Sequence, residues 1–226
     1  MKARLKTVAV LAGGLALISC SQQDTANNSA ASTNSGSGNG GGTNPPASCS
    51  YGARPALPSN LTSYLQGGSA DVCPTLTAGK GALLLMGGGS DVDAAFSNRV
   101  GPQIKGGNIV VLRTSGADGY NSYLQGLTSA ASVETLMVDS VDKANSTYVE
   151  WAIKSAEAVF LAGGDQSSYL NAWQGTRVQT ALQHVYDKGG VIGGTSAGNH
   201  VLSQSVYDPD GVNGAVSSEV VTNYCH

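Results

Sequence analysis

A serine lies at the centre of a glycine-rich segment, Gly194-Thr195-Ser196-Ala197-Gly198, which follows a short apolar run. The spacing Gly-x-Ser-x-Gly is that of a nucleophile elbow, a tight strand-to-helix turn that presents the serine hydroxyl. Small residues two before and two after the serine are needed because the turn is tight. Backbone amides at the start of the following helix can stabilise an oxyanion, with the amide of Ala197 as first donor. The segment therefore predicts nucleophilic acyl transfer at Ser196.

Two other glycine-rich turns carry polar residues and also follow apolar runs. They are Gly87-Gly88-Gly89 and Gly163-Gly164-Asp165-Gln166. Because the elbow supplies one oxyanion donor, we expect the second from the backbone of Gly88 or Gly89. The first turn does not complete Gly-x-Gly-x-x-Gly, so no dinucleotide site is predicted there. We also predict no metal site and no cofactor.

The elements that must position these turns alternate along the chain. Apolar runs predict buried strands at 82–86, 108–113, 133–138, 158–162 and 191–192, and helices at about 91–101, 120–131, 146–155, 176–188 and from 197. Such alternation is typical of a doubly wound α/β fold with a parallel sheet. Ligands of these folds bind beyond the carboxyl ends of the strands. These three turns, and the polar turn Thr114-Ser115-Gly116 after the strand at 108–113, should therefore meet at one edge of the sheet.

Three segments, in order, resemble the cyanophycinase and dipeptidase E family of serine peptidases. They are 84–91, 160–166 and 193–198, and the similarity extends from about Gly79 to Ser203. The resemblance implies a flavodoxin-like sheet related to class I glutamine amidotransferases, incomplete here at the C-terminus. It also implies Ser196 as nucleophile, with Gln166 and Asp165 beside the substrate. Members hydrolyse either the β-linked aspartyl-arginine polymer cyanophycin or dipeptides with N-terminal aspartate, so a peptide substrate is expected.

The chain departs from this family at the catalytic histidine. In cyanophycinases that residue lies in an Asp-Gln-His-Phe segment well after the serine, and no such segment precedes His226. Of the remaining histidines, His184 is expected to be solvated and His200 to have a structural role. A serine without a positioned base is a weak nucleophile, so we expect this chain to be impaired as a serine exopeptidase.

Two other functions stay open. An α/β-hydrolase esterase or lipase also uses Gly-x-Ser-x-Gly, but it requires an acid and then a histidine after the serine. The other is a truncated, non-enzymatic lipoprotein. Nucleic acid is not an expected partner, because 12 Lys and Arg against 15 Asp and Glu give a net charge of -3 without a basic patch. A homodimer is the other partner left open.

The N-terminus predicts export. Lys2, Arg4 and Lys6 precede an apolar run over 7–18, which is shorter than the roughly 20 residues of a membrane-spanning helix. The run ends in a lipobox-like Leu-Ile-Ser sequence before Cys20, which predicts a signal peptide over 1–19 and a diacylated Cys20. A plain cleaved signal is the alternative. Ser21 follows the cysteine and favours the outer membrane, so we expect a periplasmic protein anchored to the bacterial envelope by lipid.

The remaining chain divides in two. Residues 20–48 are rich in Ser, Asn and Gly and predict a flexible tether, whereas 49–226 form the peptidase-like domain. Cys49 and Cys73 flank an irregular, proline-containing segment and are predicted to form a disulfide, which an oxidising compartment permits. Cys225 is left without an assigned partner.

Overall fold

The computed structural model describes residues 51–208 and, outside that range, one strand, β1 (Arg4–Thr7). The other strands are β2 (Thr62–Gly67), β3 (Ala82–Met86), β4 (Asn108–Arg113), β5 (Ser132–Met137), β6 (Ala158–Leu161), β7 (Val191–Thr195) and β8 (Ser205–Asp208). The helices are α1 (Asp93–Ala95), a π-helical turn (Phe96–Val100), α2 (Gly101–Ile104), α3 (Asn121–Thr128), α4 (Val141–Ala144), α5 (Thr147–Ser155), α6 (Gln166–Trp173), α7 (Arg177–Asp187) and α8 (Ala197–His200).

Six strands form the central sheet in the order β2-β5-β4-β6-β7-β3. Five of them, from β5 to β3, are parallel, and β2 adds to β5 as an antiparallel edge. β8 pairs with β1 in a separate two-stranded sheet. The predicted doubly wound α/β fold is thus confirmed. The antiparallel edge was not foreseen, because the exposed and half-buried residues of β2 give it no continuous apolar run.

Both faces of the sheet are covered by apolar cores, as parallel sheets require. One core joins Leu112, Leu161 and Ile192 of the sheet to α5, α6, α7 and α8. The other joins Val111, Phe160 and Val191 to α3 and to the helical segment around Phe96. Helices therefore pack on both faces of the sheet, and the loops at the ends of its strands are the parts that a ligand can reach.

Two helix boundaries differ from the sequence prediction. The helix expected to stop near Gly101 continues through a π-helical turn, in which Gly101 N–H bonds to the carbonyl of Phe96, and ends only at left-handed Lys105 (φ 51°). The helix expected over 120–131 ends at Thr128, because Ser129 is also left-handed (φ 55°). Helix α6 was not predicted. No helix in the described part of the chain is long and apolar enough to cross a bilayer.

The N-terminal predictions mostly fall outside the described residues. The lipid attachment at Cys20, the tether and Cys49 are all in this group, as are Cys225 and His226. Cys73 is described and is disulfide-bonded, with its partner outside the described range. The Cys49 pairing therefore stays a prediction.

Candidate active site

Ser196 has a backbone conformation that side-chain-bearing residues rarely adopt. It sits between β7 and α8 with φ 52° and ψ −122°, and its side chain is exposed. Such a conformation is costly for a residue with a Cβ and persists only where the surrounding structure enforces it. It is the geometry of a nucleophile elbow, in which the strained turn holds the hydroxyl out of the sheet.

The glycines on either side of the serine are needed for steric reasons. A Cβ on Gly194 would lie 2.5 Å from the carbonyl oxygen of Gly198, and a Cβ on Gly198 would lie 2.1 Å from that of Leu161. Both distances are far below van der Waals contact. The helix α8 can therefore approach β6 and β7 only because these positions lack side chains.

The structure gathers the three glycine-rich turns around the serine. A Cβ built on Gly88 would lie 3.5 Å from Ser196 Oγ, and one on Gly163 would lie 3.5 Å from Ser196 Cβ. Thr195 Oγ1 donates to the carbonyl of Gly87 at 2.9 Å, which ties the first turn to the elbow. Two glycines, Gly88 and Gly163, thus lie on either side of the serine and place no side chain between it and a substrate backbone.

The expected oxyanion donors lie in suitable places. Ala197 begins α8, where the first N–H groups have no intrahelical acceptor. Gly88 and Gly89 are exposed, and Gly89 has φ +99°. The turn thus lies beside the hydroxyl, and its role as second donor stays a prediction.

Asp165 and Gln166 have local structural contacts. Asp165 caps helix α6, accepting hydrogen bonds from the Ser167 amide and the Ser168 hydroxyl, both at 3.0 Å. Gln166 is the first residue of that helix, and its Nε2 donates to the carbonyl of Tyr207 at 3.2 Å. The cap places Gln166 immediately after the Gly163 turn. Contact of either side chain with substrate stays a prediction.

The two described histidines are not hydrogen-bonded to Ser196. His184 was expected to be solvated, but it is half-buried, and its Nε2 is 2.9 Å from the Tyr51 hydroxyl. Burial first, then the positive charge of Lys188, lowers its pKa. His200 lies one turn after the nucleophile and is exposed. Its hydrogen bonds to described residues all involve its own main-chain N–H or carbonyl, not its ring.

The sequence placed the polar turn 114–116 after the strand that ends at Arg113, but it assigned no role to the side chains of Arg113 and Tyr120. Arg113 donates from Nε to the Ser115 carbonyl at 2.9 Å and from Nη1 to the Ala117 carbonyl at 3.0 Å. The Tyr120 hydroxyl donates to Asp91 at 2.9 Å, and burial followed by this bond raises the pKa of Tyr120 to about 12. The signal available was an arginine ending an otherwise apolar strand.

At the opposite edge of the sheet, donor atoms of Asp71, Cys73 and Glu157 lie within 4.8 Å of one another. The sulfur of Cys73 is in a disulfide, and the ammonium of Lys188 lies 3.4 Å from Glu157. A thiolate is therefore not present and a cation already neutralises the carboxylate. The cluster does not fit a metal ion.

An exposed serine in a strand-to-helix elbow on a parallel α/β sheet defines the class of serine hydrolases with nucleophile elbows. The sequence model of peptidase family S51 matches residues 104–216, half of the chain. The chain belongs to peptidase family S51, which confirms the resemblance found in the sequence motifs and favours a peptidase over an esterase.

No curated protein matches the chain. Among solved structures, a peptidase from an acI-B1 Actinobacterium is similar, with a TM-score of 0.47 and 17% sequence identity. The alignment covers 58% of this chain and 64% of that one. The chain thus spans less than two thirds of the length of that solved peptidase.

Proposed function

We propose that the protein is a serine-type peptidase in which Ser196 attacks the scissile carbonyl. The observation that carries the proposal is the φ of 52° and ψ of −122° at an exposed serine flanked by two sterically required glycines. Strain of this kind is retained where it positions a reacting group. Membership of family S51 supports the same chemistry.

In the proposed mechanism the substrate backbone lies between the Gly88 turn and the Gly163 turn, the two main-chain walls beside Ser196. Attack by Oγ forms a tetrahedral intermediate whose oxyanion accepts hydrogen bonds from Ala197 N–H and from the Gly88 or Gly89 amide. Gln166, placed by the Asp165 cap, would hold the substrate beside the acyl group. The intermediate collapses by breaking the C–N bond, and the amine leaves with the proton lost by the Ser196 hydroxyl. Water then attacks the acyl-enzyme, which releases the acid product and returns the free serine.

Three finer features belong to the same proposal. The substrate class is a peptide or a β-aspartyl-arginine polymer of the cyanophycin kind, cleaved by exopeptidase action. The protein is exported and anchored through Cys20 to the outer membrane, facing the periplasm. Hydrolysis by this chain is slow, because neither described histidine ring is hydrogen-bonded to Ser196, and loss of a triad member costs several orders of magnitude.

A covalent probe tests the nucleophile independently of substrate. We expect a fluorophosphonate to label the purified protein at Ser196, slowly because no described base activates the hydroxyl, with the site identified by peptide mass spectrometry. Ser196→Ala should abolish this labelling. Ser203→Ala is the matched control, because Ser203 is an exposed serine nearby whose hydroxyl is held by the His200 and Ser205 carbonyls. Labelling that survives Ser196→Ala, or that falls equally in Ser203→Ala, would contradict the proposal.

The finer features need their own measurements. Turnover of β-aspartyl-arginine polymer and of α-linked dipeptides, compared between wild type and Ser196→Ala, decides the substrate class and the rate. Mass spectrometry of the mature N-terminus decides lipidation, since a free Cys20 thiol or cleavage elsewhere overturns the anchor.

A further inference from the structure

Arg113 differs from every other Lys and Arg of residues 51–208 in how its charge is compensated. Five of these cations have a carboxylate within 4 Å: Arg54, Lys143, Lys154, Arg177 and Lys188. Three are exposed: Lys80, Arg99 and Lys105. Arg113 alone is half-buried with no described carboxylate in reach. The charge of this half-buried guanidinium is therefore left for an anionic ligand to neutralise.

Arg113 lies at the catalytic edge. In the sheet, Leu112 of β4 is level with Leu161 of β6, which is level with Gly194 of β7. Arg113, the residue after Leu112, is therefore level with Thr195 and on the same face of the sheet. With adjacent strands about 4.8 Å apart, Arg113 is roughly 10 Å from the elbow across one intervening strand.

Two glycines follow the intervening strand. β6 is followed by buried Ala162 and then by Gly163 and Gly164, and Gly163 flanks Ser196 directly. A peptide bound with its scissile carbonyl at Ser196 could therefore extend over this glycine pair toward the guanidinium, because Tyr169, whose hydroxyl lies 2.7 Å from a Cβ built on Gly164, is itself buried.

The guanidinium is held in place before any ligand binds. The Ser115 and Ala117 carbonyls each accept one of its hydrogen bonds, and the loop between them wraps it closely. A Cβ on Gly116, which has φ +98°, would lie 2.5 Å from Arg113 Nη2. Nη2 itself donates to no acceptor among the described residues. A fixed guanidinium with unused donors suits the planar geometry of a carboxylate.

We propose that Arg113 is a specificity-determining residue that binds a carboxylate of the peptide substrate, two or three residues from the scissile bond. This spacing follows from roughly 10 Å at about 3.4 Å per extended residue. The assignment rests on the proposed peptidase function of Ser196. The competing role is structural, in which Arg113 only anchors the Ser115–Ala117 loop.

Paired peptide libraries distinguish these roles. One library carries Asp at the second or third residue on either side of a cleavable bond, and the other carries Asn there. We expect wild type to favour the Asp library at least about tenfold in kcat/KM, through KM. Arg113→Gln should reduce this preference to within about twofold, by lowering kcat/KM on the Asp library more than on the Asn library, and Arg113→Lys should recover part of it.

Lys143→Gln is the matched control, because Lys143 is another half-buried cation near the same edge but is already paired with Asp139. It should leave the preference unchanged. An equal loss on both libraries in Arg113→Gln, with a lower melting temperature, would show that the residue acts only as a loop anchor and would overturn the proposal.

Binding separates this inference from the proposed function. If no Ser196-dependent cleavage is found, the catalytic proposal fails, and Ser196→Ala protein is titrated with the Asp and Asn peptides by calorimetry. Tighter binding of the Asp peptides that disappears with Arg113→Gln supports the carboxylate site. Equal binding of the two sets overturns it.

Discussion

The two edges of the central sheet treat charge and strain in opposite ways. At the amino-terminal edge, buried Glu157 accepts from the Asn108 amide at 2.8 Å, and Lys188 Nζ donates to the Lys154 and Ser155 carbonyls at 2.8 and 3.1 Å and lies 3.4 Å from Glu157. At the carboxyl-terminal edge, Ser196 is strained and exposed, and its hydroxyl has no described partner. One edge pairs a buried carboxylate with a buried ammonium, although Asp71 Oδ1 there has no partner among the described residues, whereas the other edge leaves the Ser196 hydroxyl without one in a position a substrate can reach.

This difference teaches where substitutions should affect stability and where they should affect activity. Residues of the amino-terminal edge contribute to folding and are far from the reacting atoms. Residues of the elbow bear strain that folding must overcome, so changes there can raise stability while removing function. The exception is the pair of glycines that let the elbow form, Gly194 and Gly198, because they are needed both for stability and for positioning the serine.

The largest effect is expected from Gly198→Ala. The added methyl would lie 2.1 Å from the Leu161 carbonyl oxygen and 2.6 Å from that of Ala162, both main-chain atoms that cannot rotate away. We expect a loss of about 3 kcal/mol in the free energy of unfolding and loss of fluorophosphonate labelling. Chemical denaturation measures the first quantity.

Gly126→Ala is the control for this prediction. Gly126 lies within helix α3 with nothing near its built Cβ, so alanine should stabilise by about 0.5–1 kcal/mol. If the two variants have the same stability, helix α8 is not packed against β6 as described.

A second prediction concerns Lys188→Gln at the amino-terminal edge. Removing the ammonium leaves the Glu157 carboxylate buried, with 1% of its side chain exposed, and without its cation. We expect a loss of about 3 kcal/mol at pH 9, where wild-type Glu157 is ionised, and a smaller loss at pH 7, where its raised pKa lets the carboxyl take up a proton instead. Arg177→Gln, which breaks an ion pair whose arginine is 48% exposed, should cost less than about 1 kcal/mol. Similar losses in the two variants would contradict the contrast.

The same edge should make stability depend on pH. Burial, partly offset by Lys188, raises the pKa of Glu157 from 4.5 to about 7. Because the folded state holds this proton more tightly than the unfolded state, the contribution of Glu157 is fully present below pH 4.5 and is lost as pH rises through 7. Wild type should therefore lose about 3 kcal/mol relative to Glu157→Gln between pH 4.5 and pH 8. Parallel pH profiles would contradict the raised pKa.

The fold and the elbow could be read from sequence because both leave local patterns. Apolar runs such as 108–113 specify buried parallel strands, and glycines at 194 and 198 mark a turn too tight for side chains. Arg113 was not found, because its isolation from carboxylates depends on distant residues packing together. His184 was misjudged for the same reason, since its partner Tyr51 is 133 positions away in the chain.

The smallest effect, and the most direct test of strain, is expected from Ser196→Gly. Glycine adopts φ 52° with ψ −122° far more readily than any residue with a Cβ, so relief of about 1–3 kcal/mol of strain outweighs the roughly 0.5–1 kcal/mol that glycine loses in unfolded-state entropy. We expect the free energy of unfolding of Ser196→Gly to be about 1 kcal/mol higher than that of Ser196→Ala, which keeps the Cβ. Both variants should abolish labelling. Ser129→Gly is the comparison, because Ser129 has a similar φ of 55° but ψ 32°, within the ordinary left-handed region. The free energy of unfolding of Ser129→Gly relative to Ser129→Ala should rise by less than the corresponding difference at Ser196. Equal gains at the two positions would mean that the elbow stores no more strain than a common helix terminus, and the contrast between the two edges would then rest on charge alone.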